Sequence, residues 1–234
     1  ELDQIRVLVN LCQGLREAGR WERGRQAGAA AVDLARGRGV REFELVALGN
    51  LGDLSPHIIN AAHAFMGPMS RICAMAETVH TDRGGVEVTN DDQAQMMIRF
   101  ENGVMGHLFI SRIATGRKMG YAYHIDGTEG SIWFDGEDQN AIHLYTREGP
   151  EAELGFRKIL TGPSHPDYLP FCQGPGHGTG YQDQIIIEAK DFLTAIETGE
   201  PVWPTFEEGM EVNRVIAAAW ASSDAGAWVN IKDF

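Results

Sequence analysis

The stretch Gln93-Ala-Gln-Met-Met-Ile-Arg-Phe-Glu-Asn-Gly-Val-Met-Gly-His-Leu-Phe-Ile110 repeats with a period of two residues on both sides of an Asn-Gly pair. Its first half sets the apolar series Ala94, Met96, Ile98 and Phe100 between Gln93, Gln95, Met97 and Arg99. This alternation predicts a strand with one buried face. Asn102-Gly103 is a strong hairpin signal, and Val104, Leu108 and Ile110 continue the apolar series beyond it. The stretch therefore predicts two antiparallel strands.

Three more period-two segments follow, and the short turns between them favour antiparallel pairing. Their apolar residues are Tyr121, Tyr123 and Ile125, then Ile132 and Phe134, then Ile142 and Leu144. Two amphipathic helices are predicted to close the chain, over residues 183–197 and 206–225. Thr205 and Glu208 form a capping-box pattern before the second helix, and Gly226 ends it. Strands in one block with helices outside it predict an α+β domain.

The first 48 residues differ from the rest because they are rich in Arg, Gly and Ala. Residues 2–19 carry a helical apolar stripe, and a second helix is predicted from Ala27 to Ala35. We therefore predict a helical or irregular N-terminal segment over residues 1–48 and an α+β domain over residues 49–234.

Composition excludes several classes of partner. A net charge of −13 disfavours nucleic acid and anionic membranes, and no apolar run is long enough to span a bilayer. The three cysteines, Cys12, Cys73 and Cys172, are far apart and odd in number, which favours reduced thiols and a cytoplasmic location.

Gly49-Asn-Leu-Gly-Asp53-Leu-Ser-Pro-His57 is a glycine-rich approach to an acid and an imidazole four residues apart. On a helix, Asp53 and His57 lie on one face. Ser55 followed by Pro56 predicts an N-cap and the first helical residue, which would place His57 in the first turn, where the helix dipole disfavours imidazolium. A neutral histidine beside a carboxylate suits proton abstraction from a hydroxyl. The alternative is that Asp53 caps the helix and His57 only packs.

Five other residues are candidates for substrate binding. A Pro/Gly-rich loop offers His165, Tyr168 and His177 as hydrogen-bonding groups for hydroxyls, Tyr181 opens the predicted helix behind it, and Arg112 ends a strand. The structural alternatives are an aromatic anchor for Tyr181 and a surface position for Arg112. Cys172 lies seven residues after His165 and five before His177, which fits no standard zinc pattern, so we predict no metal site.

Six segments form a recognisable series in the order and spacing in which they occur. They are Gly52-x-x-x-x-His57 running to Gly67, Asn102–Gly106 with Ser111-Arg112, Ile125–Ile132, Gly180-Tyr181-x-Asp183 with Glu188, Phe206–Gly209 and Ala227–Val229. Together these segments resemble the second domain of the Gfo/Idh/MocA family of NAD(P)-dependent sugar and cyclitol oxidoreductases. The resemblance extends in register over roughly residues 49 to 231.

The resemblance implies an open, mostly antiparallel sheet with helices on one face and an oligomer contact on the other. It implies oxidation of a secondary alcohol of a sugar, cyclitol or related polyol, with NAD or NADP as cofactor. His57 matches the family's proton-relaying histidine, Asp53 the acid that orients substrate hydroxyls, and Tyr181 a recurrent tyrosine near the cleft. We expect a homodimer or homotetramer through the exposed sheet face, where Met97, Met105, Phe109 and Tyr145 would form an apolar patch.

Two departures from the family pattern define a second hypothesis. No Gly-x-Gly-x-x-Gly follows a strand, so the Rossmann domain is missing or unrecognisable, and no Glu-Lys-Pro lysine occurs because the first lysine is Lys118. The chain is therefore expected to represent a substrate and oligomerisation domain that is inactive alone. The alternative is a non-catalytic sugar-binding or assembly protein that retains the fold without the cofactor domain.

Overall fold

The computed structural model describes residues 50–82, 84–85 and 87–234. The helices expected within residues 1–48 lie outside this range, as does Cys12. The described chain divides into two compact units, one that contains the residues up to Ala114 together with Pro204–Phe234, and one formed by Thr115–Trp203.

The first unit is a four-stranded antiparallel sheet covered on one face by two helices. Its elements are α1 (Asn50–Met66), β1 (Met69–Glu77), β2 (Gln93–Phe100), β3 (Met105–Ser111), α3 (Phe206–Ala225) and β8 (Val229–Asn230). The strands lie in the order β3-β2-β1-β8. Short 3-10 turns occur in both units, the last of them at Ile231–Asp233.

The quoted hairpin is formed by β2 and β3, as its pattern predicts. Met96 pairs with Leu108, and the N–H of Phe100 donates to the carbonyl of Val104 at 2.9 Å across the turn. Gly103 has φ +87°, a conformation that glycine adopts without steric cost. The side-chain amide of Asn102 also donates to the carbonyl of Met66, which ties the turn to the end of α1.

The inner face of this sheet and the two helices share one core. Helix α3 contributes Val215 and Ile216, which are almost fully buried. Val104, predicted as part of the apolar series, lies before β3 and is 37% exposed. The rest of the predicted series contributes to the core, with Leu108 only partly buried: Ala94, Met96, Ile98, Phe100, Leu108 and Ile110. The N-cap of α3 is Thr205, whose hydroxyl accepts the N–H of Glu208, and Gly226 is the left-handed C-cap, both as predicted. The outer sheet face carries large exposed apolar side chains: Met75, Met97, Met105 and Phe109.

The second unit contains another four-stranded antiparallel sheet and one α-helix. Its elements are β4 (Ala122–Asp126), β5 (Gly130–Asp135), β6 (Ala141–Thr146), β7 (Arg157–Leu160) and α2 (Tyr181–Thr198). The strands lie in the order β4-β5-β6-β7. Helix α2 begins two residues earlier than predicted and has no buried residue.

These antiparallel sheets with helices confirm the α+β fold class. The strands, however, divide between two sheets, and three of them were not identified from the sequence. Strands β7 and β8 are too short to show a period. Strand β1 has nine residues, but a register shift between Met69 and Arg71 interrupts its alternation. Among the described residues, no helix combines the length and hydropathy that a membrane span requires.

Candidate functional site

Asp53 and His57 both lie on α1, four residues apart, so the helical turn extends over both as expected. The predicted helix start is wrong, however. The helix already includes Asn50, and Pro56 lies inside it. The hydroxyl of Ser55 does not cap the helix, because it donates to the carbonyl of Leu51 one turn earlier. His57 is therefore beyond the first turn, and the dipole no longer accounts for a neutral imidazole.

The beginning of the described part of α1 is held by a residue 40 positions away. The N–H of Leu51 donates to Asp91 Oδ2 at 2.8 Å, and the side-chain amide of Asn50 donates to the carbonyl of Asp91. A carboxylate at this end of a helix accepts an otherwise unpaired amide and opposes the positive dipole. Asp91 thus supplies the capping interaction that the sequence pattern had assigned to Ser55.

Asp53 forms an ion pair with Arg112, whose Nη2 donates to Asp53 Oδ2. Arg112 directly follows β3, so the contact joins the helix to the end of an edge strand. Both side chains are partly exposed, at 39% for Asp53 and 44% for Arg112. A guanidinium at this position orients the carboxylate and keeps its second oxygen available for a ligand.

The turn at Asp91 and Asp92 positions both members of this pair. Asp91 holds the start of α1, while the carbonyl of Asp92 accepts the N–H of Arg112 at 2.9 Å. Asp92 is itself fixed because its Oδ2 accepts two backbone N–H groups, from Val79 and His80, at 2.9 and 2.7 Å. Sequence reasoning missed these two acids, although consecutive carboxylates directly before a buried strand are an unusual signal.

Asp91 is only 2% exposed, and burial raises the pKa of its carboxyl from 3.8 to about 6. The backbone N–H of Leu51 and the charge of Asp92 act in opposite directions on this value, the first lowering and the second raising it. Asp91 Oδ1 has no hydrogen-bond partner within the described residues. The carboxyl that supports the site is therefore also a group that titrates near neutral pH.

The remaining predicted site residues lie in the second unit. His165 and Tyr168 are brought together, with ring centroids 6.3 Å apart, and His165 Nδ1 accepts the N–H of Gly162 at 3.1 Å. His177 is exposed, and Tyr181 is the first residue of α2 with 59% of its surface exposed. Asp53, His57 and Arg112 belong to the first unit, so the predicted set divides between the two.

Within the described residues, no group of three or more His, Cys, Asp or Glu side chains could hold a metal ion. The same part of the chain contains no strand, glycine loop and helix in direct succession, the unit that binds a dinucleotide pyrophosphate. Gly174–Gly180 precedes α2, but β7 ends at Leu160, too far upstream to form such a unit.

A family model for the C-terminal alpha/beta domain of the Gfo/Idh/MocA oxidoreductases matches residues 39–231, and the chain belongs to this family. The levoglucosan dehydrogenase of Pseudarthrobacter phenanthrenivorans is 34% identical in an alignment 201 residues long, and the alignment covers 78% of this chain and 52% of that protein. The chain thus spans about half the length of the curated relative that it matches.

Solved structures agree with this assignment. A levoglucosan dehydrogenase in complex with NADH and levoglucosan superposes with a TM-score of 0.77 at 35% identity, over 79% of this chain and 51% of that one. An NAD binding oxidoreductase from Klebsiella pneumoniae gives a TM-score of 0.75 at 34% identity, over 79% and 51% of the two chains.

Proposed function

We propose that this chain is the substrate domain of an NAD(P)-dependent oxidoreductase that acts on a secondary alcohol of a sugar, cyclitol or related polyol. The observation that carries the proposal is the Asp53–His57 pair on α1, with Asp53 held by Arg112, in a chain of this family. Relatives named for levoglucosan and crystallised with NADH support the substrate and cofactor classes.

In this proposal His57 removes the hydroxyl proton of the substrate, because an imidazole is a base suited to neutral pH. Asp53 accepts a hydrogen bond from the same or a neighbouring hydroxyl, and Arg112 keeps its carboxylate in place. A bound nicotinamide, NAD or NADP, would take the hydride from the carbinol carbon, which leaves a ketone. His165, Tyr168, His177 and Tyr181 are proposed to bind further substrate hydroxyls.

The 234 residues alone are proposed to be inactive, because the described part offers no dinucleotide cradle and no lysine precedes Lys118. The same observations favour the alternative of a non-catalytic sugar-binding or assembly protein. We place the protein in the cytoplasm, where Cys73 and Cys172, both free thiols, would stay reduced.

A chimera tests the proposal. The N-terminal half of the Pseudarthrobacter levoglucosan dehydrogenase is joined ahead of Gly49, and NADH formation is followed by absorbance with levoglucosan as substrate. We expect turnover by the chimera and none by the 234-residue chain. If the chimera binds levoglucosan and NADH but does not turn over, the binding-protein hypothesis is supported instead. Oxidation by the chain alone would show that it contains a cofactor site of another kind.

Two binding measurements keep the test informative if the chimera does not fold. Fluorescence of the five tryptophans is recorded while levoglucosan, and separately NADH, is added to the chain. The proposal expects a response to the sugar that is weakened by Asp53→Asn, and no response to NADH. The absence of any sugar response would contradict it.

The outer face of the first sheet is proposed to form a homodimer or homotetramer contact. Met97, Met105 and Phe109 are 51%, 71% and 48% exposed there, whereas Tyr145, expected in the same patch, lies on β6 in the second unit. An apolar sheet face of this kind normally needs cover. Light scattering at micromolar concentration should give at least twice the 25.7 kDa chain mass, and Met97→Lys should lower it.

A further inference from the structure

Helix α2 exposes its large apolar side chains instead of burying them. None of its residues is buried, and among the described helices and strands none packs extensively against it. Six of its side chains are between 47% and 65% exposed: Tyr181, Ile185, Ile186, Phe192, Leu193 and Ile196. A helix of a folded protein normally turns such residues toward a packing partner.

These six residues form one continuous surface, which we call the α2 stripe. At 3.6 residues per turn they project over an arc of about 140°, with Ile196 near its centre. The stripe is about 22 Å long from Tyr181 to Ile196, and no charged residue of α2 falls within the arc. Its length and width are those of a surface that packs against another helix or sheet.

The stripe points away from the unit that carries it. The partly covered residues of α2 lie on the opposite side of the helix: Asp183, Ile187, Asp191 and Ala195. Polar contacts hold α2 to the rest of the unit, with Lys190 Nζ 2.6 Å from Asp167 Oδ1 and Gln184 Nε2 3.4 Å from Gln139 Oε1. Closer packing of α2 on its own unit would therefore not bury the stripe.

We propose that the α2 stripe is the docking surface for the dinucleotide-binding half of an oxidoreductase of this family, an inference that rests on the proposed function. The chain spans about half the length of its relatives, so each relative contains a second part of similar size. One of those relatives is solved in complex with NADH and levoglucosan. The half that this chain does not match is thus available as the occupant.

The position of the stripe agrees with this occupant. Hydride transfer needs the nicotinamide at about 3–3.5 Å from the carbinol carbon, so the part that carries the cofactor has to approach the sugar closely. Tyr181, a proposed sugar-binding residue, is the first residue of α2 and of the stripe. A partner that packs along α2 is therefore brought to the proposed sugar-binding groups of the second unit.

The charges at the edges of the stripe disfavour a second copy of the chain. Glu188 lies along one edge and Glu197 along the other, and the neighbouring Lys190 is already paired with Asp167. Two copies of α2 packed through their stripes would bring carboxylates together, which is unfavourable. A partner with an apolar surface and basic residues at its rim is the better match.

The test measures how fast a maleimide labels a cysteine placed on the stripe or beside it. Leu193→Cys lies on the stripe, and Thr194→Cys, at the exposed next residue, lies outside it. Both variants are made in the 234-residue chain and in the chimera with the Pseudarthrobacter half, and mass spectrometry separates the labelled sites. Labelling of Leu193→Cys should be at least tenfold slower in the chimera than in the chain, and labelling of Thr194→Cys should change less than twofold.

The other possible occupants give different results in the 234-residue chain. Protection of Leu193→Cys that increases with protein concentration would indicate a second copy on the stripe. Protection that is independent of concentration would indicate residues 1–49 of the same chain. Either result, or equal labelling of Leu193→Cys in the chain and the chimera, would overturn the proposal.

Cys172 reports whether the chimera is folded, because this residue is 1% exposed and is labelled only when the second unit opens. If it is labelled, the Pseudarthrobacter half is instead coexpressed with the tagged 234-residue chain. Copurification should fall at least tenfold with Leu193→Lys and less than twofold with Thr194→Lys. Absent copurification with the parent chain, or equal effects of the two variants, would contradict docking.

Neither labelling nor copurification requires turnover. A chimera that protects Leu193→Cys but does not oxidise the sugar would therefore contradict the proposed function and leave the docking surface in place. Turnover by a chimera in which Leu193→Cys stays fully labelled would do the reverse.

Discussion

The two units of this chain differ in the interactions that stabilise each of them internally. Among the residues that the structure describes, all sixteen members of the apolar core belong to the first unit, whereas the buried apolar side chains of the second are Ala141 and Cys172. Helix α3 of the first unit buries six residues, and α2 of the second buries none although its apolar residues are large. Those most exposed on α2 are Tyr181, Ile186, Phe192, Leu193 and Ile196.

Polar contacts and partly buried aromatic pairs take the place of a fully buried apolar core in the second unit. Glu137 accepts from Arg117 at 2.8 Å and from the N–H groups of Lys118 and Met119, which hold the pKa of its carboxyl down at about 2. Asn140 binds the backbone of Thr179 in a similar way. The proposed base and its carboxylate therefore belong to a packed scaffold, whereas His165, Tyr168 and His177 of the proposed substrate-binding groups lie on loops of the second unit. Loops on a rigid scaffold are where specificity is usually built.

The largest expected difference between the units is in how substitutions change kcat and KM, because the proposed base lies in the first unit and Tyr181 lies in the second. In the active chimera, His57→Ala in the first unit should lower kcat by about 10²–10⁴-fold with little change in KM, because a general base is removed. Tyr181→Phe in the second unit should raise KM several-fold and leave kcat nearly unchanged. His124→Ala, an exposed histidine outside the predicted site, is the control. Steady-state kinetics measures all three, and a KM effect for His57→Ala alone would contradict its role as base.

A matched pair of isoleucines tests the packing difference directly. Ile216→Ala on α3 removes a fully buried side chain and should lower the free energy of unfolding by about 2–5 kcal/mol. Ile186→Ala on α2 removes one that is 54% exposed and should cost less than about 1 kcal/mol. Urea denaturation followed by circular dichroism gives both values. Equal costs would mean that the apolar face of α2 is covered in solution.

Asp91 makes the stability of the first unit depend on pH. Its carboxyl has a pKa of about 6 in the folded state against 3.8 ordinarily, so the folded state binds this proton more tightly than the unfolded one. The protonated Asp91 carboxyl therefore stabilises the folded state, and this contribution to the free energy of unfolding is fully present below pH 3.8. It amounts to up to about 3 kcal/mol and is lost as the pH rises to about 6. Asp91→Asn should be the more stable protein above pH 6 and equal to the parent near pH 4.

The measurement is urea denaturation of Asp91→Asn and the parent at pH 4, 5, 6 and 7.5, with Asp224→Asn as a control for loss of one carboxylate. The difference in the free energy of unfolding between Asp91→Asn and the parent should grow with pH. The difference between Asp224→Asn and the parent should not. A constant difference, or a variant that is less stable at pH 7.5, would show that the hydrogen bond to Leu51 outweighs the cost of burial.

The sequence predicted those features that depend on neighbours in the chain. The β2–β3 hairpin follows from alternation around Asn102-Gly103, and the ends of α3 follow from Thr205 and Gly226. The predicted start of α1 was wrong. The N–H of Leu51 near the beginning of this helix donates to Asp91, 40 residues away, and no local sequence pattern contains that contact. The partner of His63 was missed for the same reason, since Glu208 is 145 residues distant. The Asp53–Arg112 ion pair likewise depends on a separation of 59 residues.

The smallest predicted effect concerns the polar contacts of the second unit. Asn140 Oδ1 accepts the N–H of Thr179 at 2.7 Å, and Asn140 Nδ2 donates to the carbonyl of the same residue at 3.0 Å. The main-chain carbonyl of Asn140 accepts the N–H of Thr161 at 2.9 Å. Asn140→Ala removes the first two bonds and keeps the third. It also removes the longer contacts in which Asn140 Oδ1 accepts the hydroxyls of Thr161 and Thr179, at 3.2 and 3.3 Å. The backbone amide of Thr161 keeps its acceptor and that of Thr179 loses it, so exchange at the two amides separates the backbone contact from the side-chain contact.

Losing those side-chain bonds should destabilise the local structure by about 1–2 kcal/mol, which corresponds to amide exchange at Thr179 that is roughly 5–30 times faster. Exchange at Thr161 should change much less, because its acceptor is unaltered, and exchange at Ala74 in the first unit should not change at all. Hydrogen exchange followed by NMR resolves the three amides. Uniform acceleration, including Ala74, would mean that the two units unfold together and that the polar contacts of the second are part of one cooperative structure.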